Sequence, residues 1–133
     1  MNIAELERKL GITFHDSLLR ELSTSLVERT ADFVLDVWVG DPDTRPGPER
    51  ERRRAGRLRL TGLEYLVVEP PDPKYPYSRH EPVDIDPCEP DAEVVRRYRI
   101  PEGSFAGRFF VSDWNAFIHF AAMNAALAWL EPG

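Results

Sequence analysis

His15 and Asp16 are adjacent, and a carboxylate beside an imidazole can fix its tautomer and raise its pKa. Neighbours in an extended segment point to opposite faces, so the pair need not touch. The bland reading has Asp16 or Ser17 capping a turn and His15 packed on a sheet edge. His119 stands in an apolar segment, where a histidine is ordinarily a core or sheet-face residue. If these three converge, His15, Asp16 and His119 line a pocket for a small ligand or a hydrolytic reaction. That reading requires hydrogen-bond reach between them.

Metal and nucleophile chemistry has thinner support. His80 and Cys88 form no recognisable zinc spacing. Asp84-x-Asp86 resembles part of a calcium loop, but the glycine and the closing glutamate are missing. No metal and no cofactor is expected. Cys88 is the one cysteine, it lies in an acidic stretch, and no G-x-S-x-G elbow or glycine-rich phosphate loop is present.

Charge is segregated along the chain. Arg50, Arg52, Arg53, Arg54, Arg57 and Arg59 cluster, while Glu81, Asp84, Asp86, Glu89, Asp91 and Glu93 follow later. The two segments are expected to face each other within the molecule, with Arg52, Arg54, Arg57 and Arg59 also offering a binding edge. Tyr75 and Tyr77 are candidate interface anchors, since tyrosine is enriched at interfaces. The net charge of -6, with no aromatics interleaved among the arginines, argues against nucleic acid as a partner. Residues 2–9 are polar and no apolar run approaches membrane-spanning length, so no membrane association and a cytoplasmic location are expected. The sequence leaves the oligomeric state open, a homodimer included.

The elements that must position these groups are mostly strands. At 133 residues the chain reads as a single domain. Residues 18–39 alternate apolar and polar, with Phe33, Leu35, Val37 and Val39 on one face, and predict a hairpin turning at Glu28, Arg29 and Thr30. Before it, residues 2–10 predict a short helix, with Asn2 and Glu5 at capping-box spacing and Gly11 at the end. Arg57, Arg59 and Thr61 alternate with Leu58 and Leu60, a strand with a basic wet face. Seven of the 12 prolines fall at positions 70–90, which predicts a long proline-rich acidic loop at 69–93. Residues 94–100 and 105–111 read as a hairpin. The last segment, 113–130, contains six alanines, but its apolar residues surround a helical axis. It therefore reads as two strands, 117–121 and 125–129, paired around Met123 and Asn124, with 117–121 also beside 105–111.

Phe14-His15-Asp16-Ser17-x-Leu19 opening a hairpin, with Asp113-Trp114-Asn115-x-Phe117-Ile118 after a late strand, resembles small uncharacterised bacterial β-rich domains with an N-terminal "FHD" segment. Some of these are presumed toxin-immunity proteins. The resemblance implies a mostly β, sandwich-like domain and carries over no catalytic residue. The expectation is a mostly β (α+β) fold, an antiparallel β-sandwich or open barrel of six to eight strands with a short N-terminal helix. The leading functional expectation is a non-enzymatic protein-binding module, immunity-like in character. The alternative is a small-ligand-binding or hydrolytic enzyme.

Overall fold

The structure is a computed structural model that describes residues 1–39, 53–77 and 80–130. Helix α1 (Ile3–Leu10) leads into the long β1 (Ile12–Ser25) and β2 (Thr30–Val39). Then come β3 (Arg53–Thr61), β4 (Tyr65–Val68), β5 (Val83–Cys88) and helix α2 (Ala92–Tyr98). The chain finishes with β6 (Phe105–Val111), a 3-10 turn (Ser112–Trp114), β7 (Ala116–Ala122) and β8 (Asn124–Trp129). All eight strands form one antiparallel sheet in the order β4-β7-β6-β5-β1-β2-β3-β8. Among the described residues the sheet does not close, and β4 and β8 are its edges. The fold is the mostly β, open architecture that the alternating pattern predicts.

The sheet curls so that one face becomes the core. Phe33, Leu35 and Val37 of β2 are fully buried, as their alternation with Asp32, Val34 and Asp36 requires. Phe33 meets Phe109 of β6 edge to face at 5.3 Å, and Phe120 of β7 at 6.2 Å. These strands are not neighbours in the sheet, so the contacts span its concave side. Helix α1 packs against β1 and β8 and buries Leu6. Its capping box is formed: Asn2 Oδ1 accepts the Glu5 N–H at 2.8 Å, and Glu5 accepts the Asn2 N–H at 3.3 Å. Gly11, left-handed at φ 64°, ends the helix, and Glu7 accepts the Phe14 N–H to fix the entry into β1.

β3 pairs β8 while β4 pairs β7, so 53–68 and 116–129 form one two-stranded ribbon bent in the middle. The bend sits at Gly62 (φ 62°) and Met123. Ladder bonds run through it, Met123 N–H to Thr61 O at 3.0 Å and Glu64 N–H to Ala121 O at 2.7 Å. A Cβ at position 62 would stand 2.7 Å from Met123 Cγ, so a side chain there must push Met123 aside as well as bear the positive φ.

Three local expectations are corrected. The 69–93 stretch is not one loop, because 83–88 is strand β5, between β1 and β6 in the sheet. Val83 and Ile85 alternate inward, and the β1 ladder stops at Ser17–Ile85, so Pro87 does not interrupt it. Residues 94–100 are not a strand; 92–98 is α2. Asp91 accepts the Glu93 and Val94 N–H groups, and Arg96 and Arg97 sit in the last turn, both of which favour a helix. None of its residues is buried, so the Val94-Val95 pair faces no core. At the C-terminus both segments are extended and β7 pairs β6, as expected, but β7 and β8 do not pair with each other. Met123 bends one long strand instead of reversing it.

Candidate functional site

The local irregularity that builds a site is the bulged part of β1. Pairing with β2 skips between Thr13 and Leu18, and Asp16 lies in the left-handed region at φ 57°, which aspartate tolerates better than most residues. Ser17 and Leu19 stay inward while His15 and Asp16 are exposed. The neighbouring β5 anchors the bulge: Asp86 Oδ1 accepts the Asp16 N–H at 2.9 Å and lies 3.3 Å from His15 Nδ1. Arg53 donates to Asp16 O at 3.2 Å. Asp84 stands two residues before Asp86 on the same outer face, and Asp113 accepts the Asp84 N–H at 3.0 Å.

Carboxylate oxygens of Asp16, Asp84 and Asp86 lie within 4.8 Å of one another. Burial, then the negative charges of Asp16, Asp86 and Asp113, push the Asp84 carboxyl up to about 6, with Arg53 offsetting part of the rise. Three carboxylates offer hard oxygen donors, and a calcium ion, which takes roughly six to eight, would need water or backbone oxygens for the rest. Asp86 orders the bulge through the Asp16 N–H, and the three carboxylates concentrate negative charge, with Asp84 Oδ1 buried and without a hydrogen-bond partner among the described residues.

His119 belongs to a different place. It lies on the outer face of β7 and is 3% exposed, with Nε2 2.8 Å from Glu69 Oε2. Glu69 Oε1 accepts the Phe117 N–H at 2.9 Å. Burial would raise the Glu69 carboxyl, but the bonds from His119 and Phe117 outweigh it and hold it below the usual range. Arg108 lies over the Phe117 ring at 4.0 Å and 3.6 Å from Asp91, the cap of α2. Tyr98 of α2 rests on Tyr65 at 5.1 Å. With β5 and β6 between β1 and β7, His119 is three strand spacings, about 14 Å, from the bulge. The pocket expected from His15, Asp16 and His119 is therefore split: His15 and Asp16 share Asp86, and His119 shares Glu69.

The arginines are distributed differently from the expectation too. Arg59 is held in a fork by Asp32 at 2.7 and 2.9 Å, which lowers the Asp32 carboxyl, and Arg20 pairs with Asp36 at 2.6 Å. Arg53 stacks on Trp38 at 4.2 Å and Arg54 on Trp129 at 4.6 Å. Arg57 is exposed on the same outer face as Arg59. Arg52 lies outside the described residues. Arg59 takes Asp32 from β2, its neighbour on one side, and Arg54 takes Trp129 from β8, its neighbour on the other, as cross-strand proximity favours. Arg53 also reaches the acidic side, bonding Asp16 O and acting on Asp84. Tyr75 is exposed on a turn closed by Asp72, whereas Tyr77 packs on Trp114 at 6.0 Å.

Asp84 and Asp86 are visible in the sequence as an alternating pair that matches only a fragment of a metal loop. Glu69 and Asp113 gave no signal, because their partners lie 48 and 29 residues away. A cleft of about 450 Å³ opens between α1 and β6, lined by Ile3, Glu7, Phe105 and Gly107, with Cys88 and Arg108 beside it. No helix among the described residues is long and apolar enough to cross a membrane.

No family model matches the chain, and no curated protein matches it. Among solved structures it is similar to the crystal structure of an uncharacterized protein from Neisseria gonorrhoeae, with a TM-score of 0.46 and 14% identity, over 90% of this chain and 96% of the other.

Proposed function

We propose that this protein is a non-enzymatic protein-binding module that acts in the cytoplasm by charge-complementary contact, in the way an immunity protein masks a toxin. The observation that supports this reading is the outer face of the sheet. It displays Phe110 and Phe117 outside the core, with Asp86 beside one and Glu69 beside the other. The groups that could run a hydrolytic reaction are each engaged in their own pair and stand apart. A displayed face of this kind suits recognition of another surface.

The test is reconstitution from purified components. Affinity capture supplies candidate partners, and each is then purified and titrated against this protein. The expected result is a complex of fixed stoichiometry by light scattering, with any effect on the partner saturating at that ratio. A substoichiometric amount that goes on converting a small molecule or modifying the partner would overturn the reading in favour of an enzyme. Failure of every purified candidate to form a stoichiometric complex would also overturn it.

A further inference from the structure

The register of β5, β6 and β7 sets four outer-face side chains in one row across the sheet. Asp86 is paired with Phe110, Phe110 with Phe117, and the Phe117 N–H donates to Glu69. The row reads carboxylate, phenyl, phenyl, carboxylate, and spans three strand spacings, about 14 Å. The two rings lie 5.1 Å apart and neither belongs to the core. Both are half-buried, so they lean on each other and still present a side to the outside. Water gains nothing from such a pair, whereas interface cores are enriched in aromatic side chains.

Resting on the protein-binding reading above, we propose that this row docks a partner protein whose surface carries an arginine or lysine on each side of an apolar contact. Charge complementarity selects that occupant. Asp16, Asp84 and Asp113 add negative charge beside Asp86. A phosphate backbone or an anionic lipid surface would be repelled. Within the chain, Arg108 already shows how a guanidinium is received there: it lies 4.0 Å above Phe117 and reaches Asp91 at 3.6 Å. A second copy is the weaker fit. On its β3 stripe Arg59 is held by Asp32 and Arg53 by Trp38 and Asp16, so the exposed Arg57 of that stripe meets one carboxylate of the row and not both.

The experiment uses the full chain labelled with nitrogen-15 and a short synthetic peptide bearing arginines on both sides of a leucine pair. The control peptide carries glutamate in place of arginine. The arginine peptide should shift the amides of Asp86, Phe110 and Phe117, at physiological salt, and the glutamate peptide should not. Asp86→Asn combined with Phe110→Ala should weaken binding at least about tenfold while the melting curve stays cooperative. Asparagine still accepts the Asp16 N–H, and Asp86→Asn alone serves if the pair fails to fold. No shifts, shifts that map to β3 or α1, or equal binding by the variant would overturn the proposal. So would calcium or magnesium alone reproducing the shifts, which would make the row's flank an ion site. Salt-sensitive self-association of the unlabelled chain, abolished by Asp86→Asn, would name a second copy as the occupant and overturn it as well. A purified partner that still binds the variant at fixed stoichiometry removes this surface but leaves the protein-binding reading standing.

Discussion

Asp84 is a carboxyl group held against its own preference. Its folded pKa is about 6, raised first by burial and then by Asp16, Asp86 and Asp113. An unfolded aspartate titrates near 3.9. A raised pKa means the folded state holds the proton more tightly, so the contribution is present at low pH and lost as pH rises through about 6. A two-unit gap would be worth roughly 2–3 kcal/mol for a fully buried group. Asp84 is only partly buried, and solvent screening reduces this to about 1 kcal/mol. Asp84→Asn should therefore raise the melting temperature above pH 6 and leave it unchanged near pH 4. A thermal-melt series across that range reads both limbs, and a gain that persisted at pH 4 would point to a packing effect. Leu35 tests the core in the same currency. It is fully buried on β2, and Leu35→Ala should cost roughly 2–5 kcal/mol in a denaturant titration. Residues such as Phe33 and Leu35 were legible because period-two alternation is local. Asp113 was not, because its role depends on the backbone of Asp84, brought near only by the sheet.

Among elements, the strands with clean alternation were readable and those with mixed signals were not. In 83–88 the prolines outweighed Val83 and Ile85 as a signal, yet inward alternation won once β6 offered a ladder. In 92–98 the valines suggested a strand, but a capping aspartate decided the local geometry. Alanine propensity argued for a helix in 113–130, and burial of Ala116, Ile118, Phe120 and Ala122 on one face overrode it. The bend at Gly62 makes its own prediction. Gly62→Ala combines a left-handed φ with a close approach to Met123, and should cost about 1–3 kcal/mol. Adding Met123→Ala should recover only part, because it removes the Cγ and Sδ contacts but leaves the 2.8 Å approach of the Cβ at 123 and the dihedral cost. Full recovery in chemical denaturation would assign the whole penalty to the side chain.

For the molecule as a whole, stability should be unevenly distributed. β2 is paired on both sides along its length and carries four fully buried residues, Ala31, Phe33, Leu35 and Val37. α2 buries none and is held by Tyr98 on Tyr65 and by Asp91 near Arg108. Amide hydrogen exchange should be slowest in β2 and fastest in α2, with α2 opening far below the global unfolding free energy. Protection of α2 equal to that of β2 would mean that contacts beyond these two hold it down.

The bent ribbon has a consequence for how the sheet can come apart. In an ordinary open sheet each outermost strand can unzip by itself. Here β4 and β8 are the outermost strands, and β4 follows β3 while β8 follows β7 through a single hinge region. Peeling β8 strips β3 of one of its two neighbours, leaving β2, and slackens the crossing at Met123, which also anchors the β4 end through Glu64 and Ala121. The two rims therefore behave as one clasp. Fraying started at either rim has to travel through Gly62 and Met123 before it becomes productive, and a weakness placed at that clasp loosens both rims at once.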